Sequence, residues 1–169
     1  MIEAIILVLI PLIVANVLHM LLVKKEMLSS LAIPINVKLF GFNKTWRGVV
    51  FLIIVTAVFC SLFGWIFKFQ TFKSNLLLGA VLGLTYVVFE LPNSMFKRWK
   101  GIEAGERSKK GGIYFSILDK TDSAFGVSLV YSLLNDFSAK EGILLFLVCS
   151  GLHAFISLLL VFLKVKKSF

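Results

Sequence analysis

Residues 113–134 read IYFSILDKTDSAFGVSLVYSLL. The run is long enough for a helix to cross the roughly 30 Å hydrocarbon core of a bilayer, which takes about 20 apolar residues. Yet it carries Asp119, Lys120 and Asp122 a turn or two inside its start. Whether it is a charged surface helix or a membrane span depends on its company.

That company is apolar. Four further stretches of suitable length are Ile2–Val23, Val49–Phe67, Leu76–Leu91 and Gly142–Leu163, the third being the shortest. The 169 residues are 59% hydrophobic, with a mean hydropathy of +0.95, against about 45–50% apolar residues in a soluble domain. These runs predict an all-α integral membrane protein of five transmembrane helices. No linker, low-complexity tract or fixed-period repeat divides it, so residues 1–169 read as one domain. The first run lacks a basic leader and a small-residue cleavage site, so it reads as a retained span.

The bases orient the bundle. Segment 24–48 holds Lys24, Lys25, Lys38, Lys44 and Arg47; segment 92–112 holds Lys97, Arg98, Lys100, Arg107, Lys109 and Lys110; the tail holds Lys164, Lys166 and Lys167. The alternate connections have only Lys68, Lys73 and Lys140. The positive-inside rule then places the N-terminus outside, with the long loops and C-terminus in the cytoplasm of a multi-pass cell-membrane protein. A formal charge of +9 suits anionic lipid or an anionic substrate, and the hydropathy argues against nucleic acid. The oligomeric state is not legible. Cys60 and Cys149 lie inside apolar runs without metal or redox spacing and read as packing residues.

An Asp or Lys at mid-membrane costs about 2.5–3.5 kcal/mol and usually marks a site or an ion path. Asp119 and Asp122 are i, i+3, so on a helix their carboxylates share a face with Cβ atoms roughly 5–6 Å apart. Such a pair can hold Mg²⁺, which takes one or two protein carboxylates and completes its shell with water and substrate phosphates. One metal and two are both compatible with this face. A purely structural alternative has Lys120 or a loop base neutralising the two aspartates.

Two basic clusters flank this pair. In Gly41-Phe42-Asn43-Lys44-Thr45-Trp46-Arg47-Gly48, Asn43 or Thr45 can cap the second span and leave its positive end, with Lys44 and Arg47, facing an anion. It is not a Walker A loop, since the glycine that should precede the lysine is missing. The other reading is ordinary flanking bases with Trp46 as an interfacial anchor. In the second cluster, Glu90 to Arg98, Pro92 predicts a break, after which Asn93 and Ser94 start a new element presenting Lys97 and Arg98. Met95, Trp99 and Ile102 then give a short interfacial helix. Glu90 is either a third metal ligand or the partner of Lys97, Arg98 or Arg47, the ion pair being favoured. His19 and His153, on separate spans, read as hydrogen-bonded packing residues.

Taken together, Asn43-Lys44-Thr45-Trp46-Arg47-Gly48, then Asn93-Ser94 with Lys97-Arg98 and Gly101-Ile102, then Asp119 with Asp122 after a Gly-Gly pair, resemble the CDP-archaeol synthase family of small membrane cytidylyltransferases. They are also similar to the catalytic half of the larger phosphatidate cytidylyltransferases, whose signature ends in Asp-x-x-Asp-Ser. The Lys120-Thr121 insert with Ser123 following is closer to the phosphatidate enzymes. The resemblance implies a five-span enzyme that transfers CMP from CTP to a lipid phosphate, giving a CDP-lipid for phospholipid synthesis and pyrophosphate. On that reading Lys44, Arg47, Lys97 and Arg98 are catalytic, Asn43, Thr45, Asn93 and Ser94 bind substrate, and Asp119 and Asp122 bind Mg²⁺. The rivals are a small transporter or channel with an Asp119, Lys120 and Asp122 ion relay, and a non-catalytic lipid-binding scaffold.

Overall fold

The structure, a computed structural model, describes residues 1–104 and 112–163. All its regular elements are helical: α1 (Ile2–Lys24), α2 (Val37–Phe40), α3 (Trp46–Ile66), α4 (Phe72–Trp99), α5 (Gly112–Leu134) and α6 (Ala139–Phe162), with a 3₁₀ turn at Ser29–Leu31. In α1 a π turn over Ile5–Leu9 runs directly into Pro11, which has no N–H to offer the preceding turn.

Helices α1, α3, α4 and α6 are long and apolar enough to cross a membrane. With 23 residues α5 has the length, but Asp119, Lys120 and Asp122 leave it too charged to qualify by composition. It packs between α4 and α6, both of which do qualify. The exterior is that of a membrane protein. On α3 the exposed residues Val50, Ile54, Val58, Leu62 and Trp65 recur every turn along one face, and on α4 Leu77, Leu84 and Val88 share a face. Stripes of this size are foreign to a soluble surface.

The inner faces meet over Val8, Leu52, Leu82, Val127, Tyr131 and Leu145. The most extensive seam joins α3 to α4. There a Cβ on Gly79 would fall 2.7 Å from the Cα of Ala57, and one on Gly83 2.9 Å from the Cα of Ile53. Only hydrogen side chains allow that approach, which exchanges side-chain bulk for continuous backbone contact. Cys60 and Cys149 are buried free thiols, Cys60 lying against Gly79 in this seam.

The third span differs from expectation. It is the longest helix of the described residues, 28 residues, and continues through Pro92 to Trp99 without a new element at Asn93. Met95 and Trp99 therefore belong to the last turns of α4, and Ile102 lies beyond it. A mid-helix proline costs about 3 kcal/mol in isolation. Here tertiary bonds from the turns beyond it offset that cost: Asn93 and Lys97 bond to α5, and the Phe96 ring lies 6.0 Å from that of Phe115.

At one end of the bundle the turns are tight. Asn75, fully buried, donates from Nδ2 to the Phe69 carbonyl at 2.7 Å and closes the α3–α4 hairpin. Ser138 and Glu141 form a reciprocal capping box at the start of α6. The other end gathers the start of α3, the end of α4 and the charged part of α5.

Candidate functional site

The approach to α3 is fixed before the helix begins. Ile35 N–H donates to the Lys44 carbonyl and Trp46 N–H to the Ile33 carbonyl, both at 2.9 Å, clamping residues 43–45 against the preceding loop. Thr45 is the N-cap, its hydroxyl accepting from Gly48 N–H at 3.4 Å. Asn43 is exposed and does not cap the helix. Gly41 ends α2 with φ of +85°, and a Cβ there would lie 2.6 Å from Nη1 of Arg98, so the loop passes directly over that guanidinium.

Because α4 does not break, Glu90, Asn93 and Lys97 stand at i, i+3 and i+7 on one face. Each takes a partner from another element. Glu90 pairs with Lys44 at 2.5 Å, both side chains a quarter exposed. The expected partners of Glu90, namely Lys97, Arg98 and Arg47, are thereby corrected. Arg98 is turned toward Gly41, Arg47 donates to the Met27 carbonyl at 3.0 Å, and Lys97 reaches across to α5. Lys44 lies ahead of α3. Burial acts to lower its pKa, but the adjoining Glu90 carboxylate outweighs burial and holds the ammonium above its ordinary range.

Asn93 joins the two aspartates. Its Nδ2 donates to Asp119 Oδ1 at 2.6 Å and to Asp122 Oδ2 at 2.9 Å, so both carboxylates converge on one point. Lys97 Nζ sits 2.5 Å from each oxygen of Asp119, with the Phe115 ring 5.9 Å away. Asp122 also accepts from Ser123 N–H at 2.6 Å. A base of α4, Lys97, therefore neutralises Asp119, where the structural reading had Lys120 or a loop base. Lys120 is 5% exposed.

Some polar capacity remains unused. Arg47 Nε, Arg98 Nε and Asn93 Oδ1 are buried without a hydrogen-bond partner among the described residues. Ser94 spends its hydroxyl on the Glu90 carbonyl at 3.2 Å. His19, expected to be hydrogen-bonded, leaves its buried Nε2 unbonded and lies against Phe51 and the start of α3 at Gly48. His153 lies with its ring centroid 6.1 Å from that of Tyr86. Arg107, Lys109, Lys110 and Gly111, and the tail bases, lie outside the described residues.

Sequence reasoning missed the link between Glu90 and Lys44, 46 residues apart, and the junction role of Asn93. The i, i+3, i+7 spacing was a usable signal for the shared face, but it is readable only if the helix is carried through Pro92.

The cytidylyltransferase family model matches residues 42–138, more than half of the chain and every candidate site residue named above. The chain belongs to the cytidylyltransferase family. It is accordingly a nucleotidyltransferase that takes CTP and transfers CMP, with helices long and apolar enough to cross a membrane. No curated protein and no solved structure matches it. The family match covers Asp119, Lys120 and Asp122, which disfavours the ion-relay alternative.

Proposed function

We propose that the protein is a CTP:lipid-phosphate cytidylyltransferase of the CDP-archaeol synthase type, acting in phospholipid synthesis from a five-span bundle whose site faces the cytoplasm. The observation that carries this reading is the convergence of Asp119 and Asp122 on one atom, with Lys97 on Asp119 and with Lys44, Arg47 and Arg98 carried at the same end of apolar helices. Its place at a helix end lets a lipid phosphate approach from the bilayer while CTP arrives from water.

The fifth span is α5. Its flanks on α4 and α6 supply the neighbours that make an intramembrane charge tolerable, and its two carboxylates bond to Asn93 and Lys97 of α4. Orientation follows the bases, so a cysteine at exposed Ser29 should label from the cytoplasm and one at exposed Lys73 from outside. Reversed labelling would overturn the assignment.

The residues present fit a divalent cation. Two carboxylate oxygens already lie within 2.6 and 2.9 Å of a common atom, and the described residues contain no group of three or more candidate ligands. Asp119 and Asp122 would therefore hold Mg²⁺ with water and phosphate oxygens as its other ligands. When bound it would screen the triphosphate and stabilise charge on the departing pyrophosphate. The protein's share is to position two anions against each other. An oxygen of the lipid phosphate attacks the α-phosphorus of CTP, the bond to the β-phosphate bridging oxygen breaks, and pyrophosphate leaves. Arg47 and Arg98, each with an unspent Nε, together with Lys44 and Lys97, hold these phosphates and offset their repulsion. Asn43, Thr45, Asn93 and Ser94 line the same end, Thr45 setting the α3 terminus and Asn93 orienting the aspartates.

Purified protein given CTP and a panel of archaeol-type, diacyl and prenyl lipid phosphates should release pyrophosphate only when both substrates are present. Release independent of any lipid phosphate, or none with every member, would reject the lipid acceptor.

A further inference from the structure

Lys97 occupies an unusual position for a phosphate-binding base, since its ammonium is 2.5 Å from both oxygens of Asp119. Those are the oxygens a cation at the aspartate pair would need. Asp122, in contrast, is held by the Asn93 amide and its neighbour's N–H. The cluster of Asp119, Asp122 and Lys97 carries two negative charges and one positive, a net −1. Adding a divalent cation while Lys97 stays nearby makes it +1, so the ammonium becomes surplus on the aspartates and suited to an anion. Its unbranched stem lets it leave without moving α4.

We propose that Lys97 is an exchangeable counter-ion. It fills the cation site on Asp119 when that site is empty, is displaced when the divalent cation enters, and is thereby released toward the substrate phosphates. The exchange keeps the Asp119 carboxylate paired with a cation at every stage. It also makes the lysine available only after the metal has arrived. This rests on the assignment of the metal to Asp119 and Asp122 made above.

The test is Mn²⁺ binding by electron paramagnetic resonance to nucleotide-free protein in lipid nanodiscs, so that the readout is independent of turnover. Lys97→Met should bind Mn²⁺ at least about tenfold more tightly than wild type, because the competitor is gone. Lys97→Arg, which keeps the charge, should remain close to wild type, and Asp122→Asn should weaken binding in either background. A lysine that merely supported the fold would give the opposite sign on removal. If Lys97→Met binds Mn²⁺ no better than wild type while Asp122→Asn abolishes binding, the exchange is wrong and the metal site stands. If neither wild type nor Lys97→Met binds, and Asp122→Asn changes nothing, the metal assignment itself falls and the exchange with it. Should Lys97→Met fail to fold, wild type supplies the second measurement: amine-reactive labelling of Lys97, read by peptide mass spectrometry, should rise when Mg²⁺ is added. Unchanged or reduced labelling would overturn the proposal.

Discussion

The two ends of the bundle solve the same problem, the satisfaction of polar groups where helices terminate, in opposite ways. At the turn end the solutions are local: Asn75 bonds the Phe69 carbonyl six residues away, though its own Oδ1 stays unbonded, and Ser138 and Glu141 cap each other. At the site end they are long-range and unfinished. Lys44 reaches Glu90, Lys97 reaches Asp119, and Asn93 spans two carboxylates, while Arg47, Arg98 and Asn93 each keep a buried polar atom unbonded. Bonds within one turn stabilise that turn, whereas bonds between separate elements hold groups that a ligand can re-partner.

The contrast breaks most sharply at Asp122. Asp122→Asn keeps the side chain's size and removes its charge, so pyrophosphate release should fall at least about a hundredfold, with the thermal melt nearly unchanged. Near-normal release at low Mg²⁺ would mean that the aspartates serve the fold, as the turns do.

Glu90→Gln should act on both properties. It leaves the Lys44 ammonium with a neutral partner, and because both side chains are a quarter exposed the expected loss is about 1–3 kcal/mol in a detergent melt. Adding Lys44→Met should recover part of the stability but none of the turnover. The pH dependence has a definite sign. A lysine whose pKa is raised on folding contributes fully below its ordinary value of 10.5 and loses that contribution only as pH rises through the raised one. Wild-type melts should therefore show no loss from this pair between about pH 7 and 9, and an earlier decline would show that the pair is not formed.

The turn end gives the smallest effect on chemistry. Asn75→Ala removes a buried bond and should cost about 1–3 kcal/mol, with turnover per folded molecule unchanged. Ser138→Ala should cost less, being exposed to water that can replace the cap. A fall in turnover from either would show that the two ends are coupled.

Much of the bundle was legible because a helix that faces lipid must be written as a long apolar run, and α1, α3 and α6 are. The end of α4 was not. Pro92 obeys a local rule that favours a break, and what overrides it is the bonding of Asn93 and Lys97 to a helix more than twenty residues later. The same error hid the common face of Glu90, Asn93 and Lys97. That Asp119 and Asp122 share a face was legible because their spacing is intrinsic to one helix. The partner of Glu90 was not, because nothing in the neighbourhood of residue 90 points to residue 44.

The glycine seam at Gly79 and Gly83 bears on how the site can adapt to differently shaped substrates. Since α3 and α4 touch backbone to backbone there, neither can move inward, and sliding one past the other would drive side chains into the contact. Lys44, Arg47, Glu90 and Lys97 thus ride on what is mechanically a single jaw. The opposing jaw is α5, which carries Asp119 and Asp122 and contains Gly126 where the Phe89 ring rests on it. Any change in gape between those bases and these acids must come from α5 moving against that fixed pair.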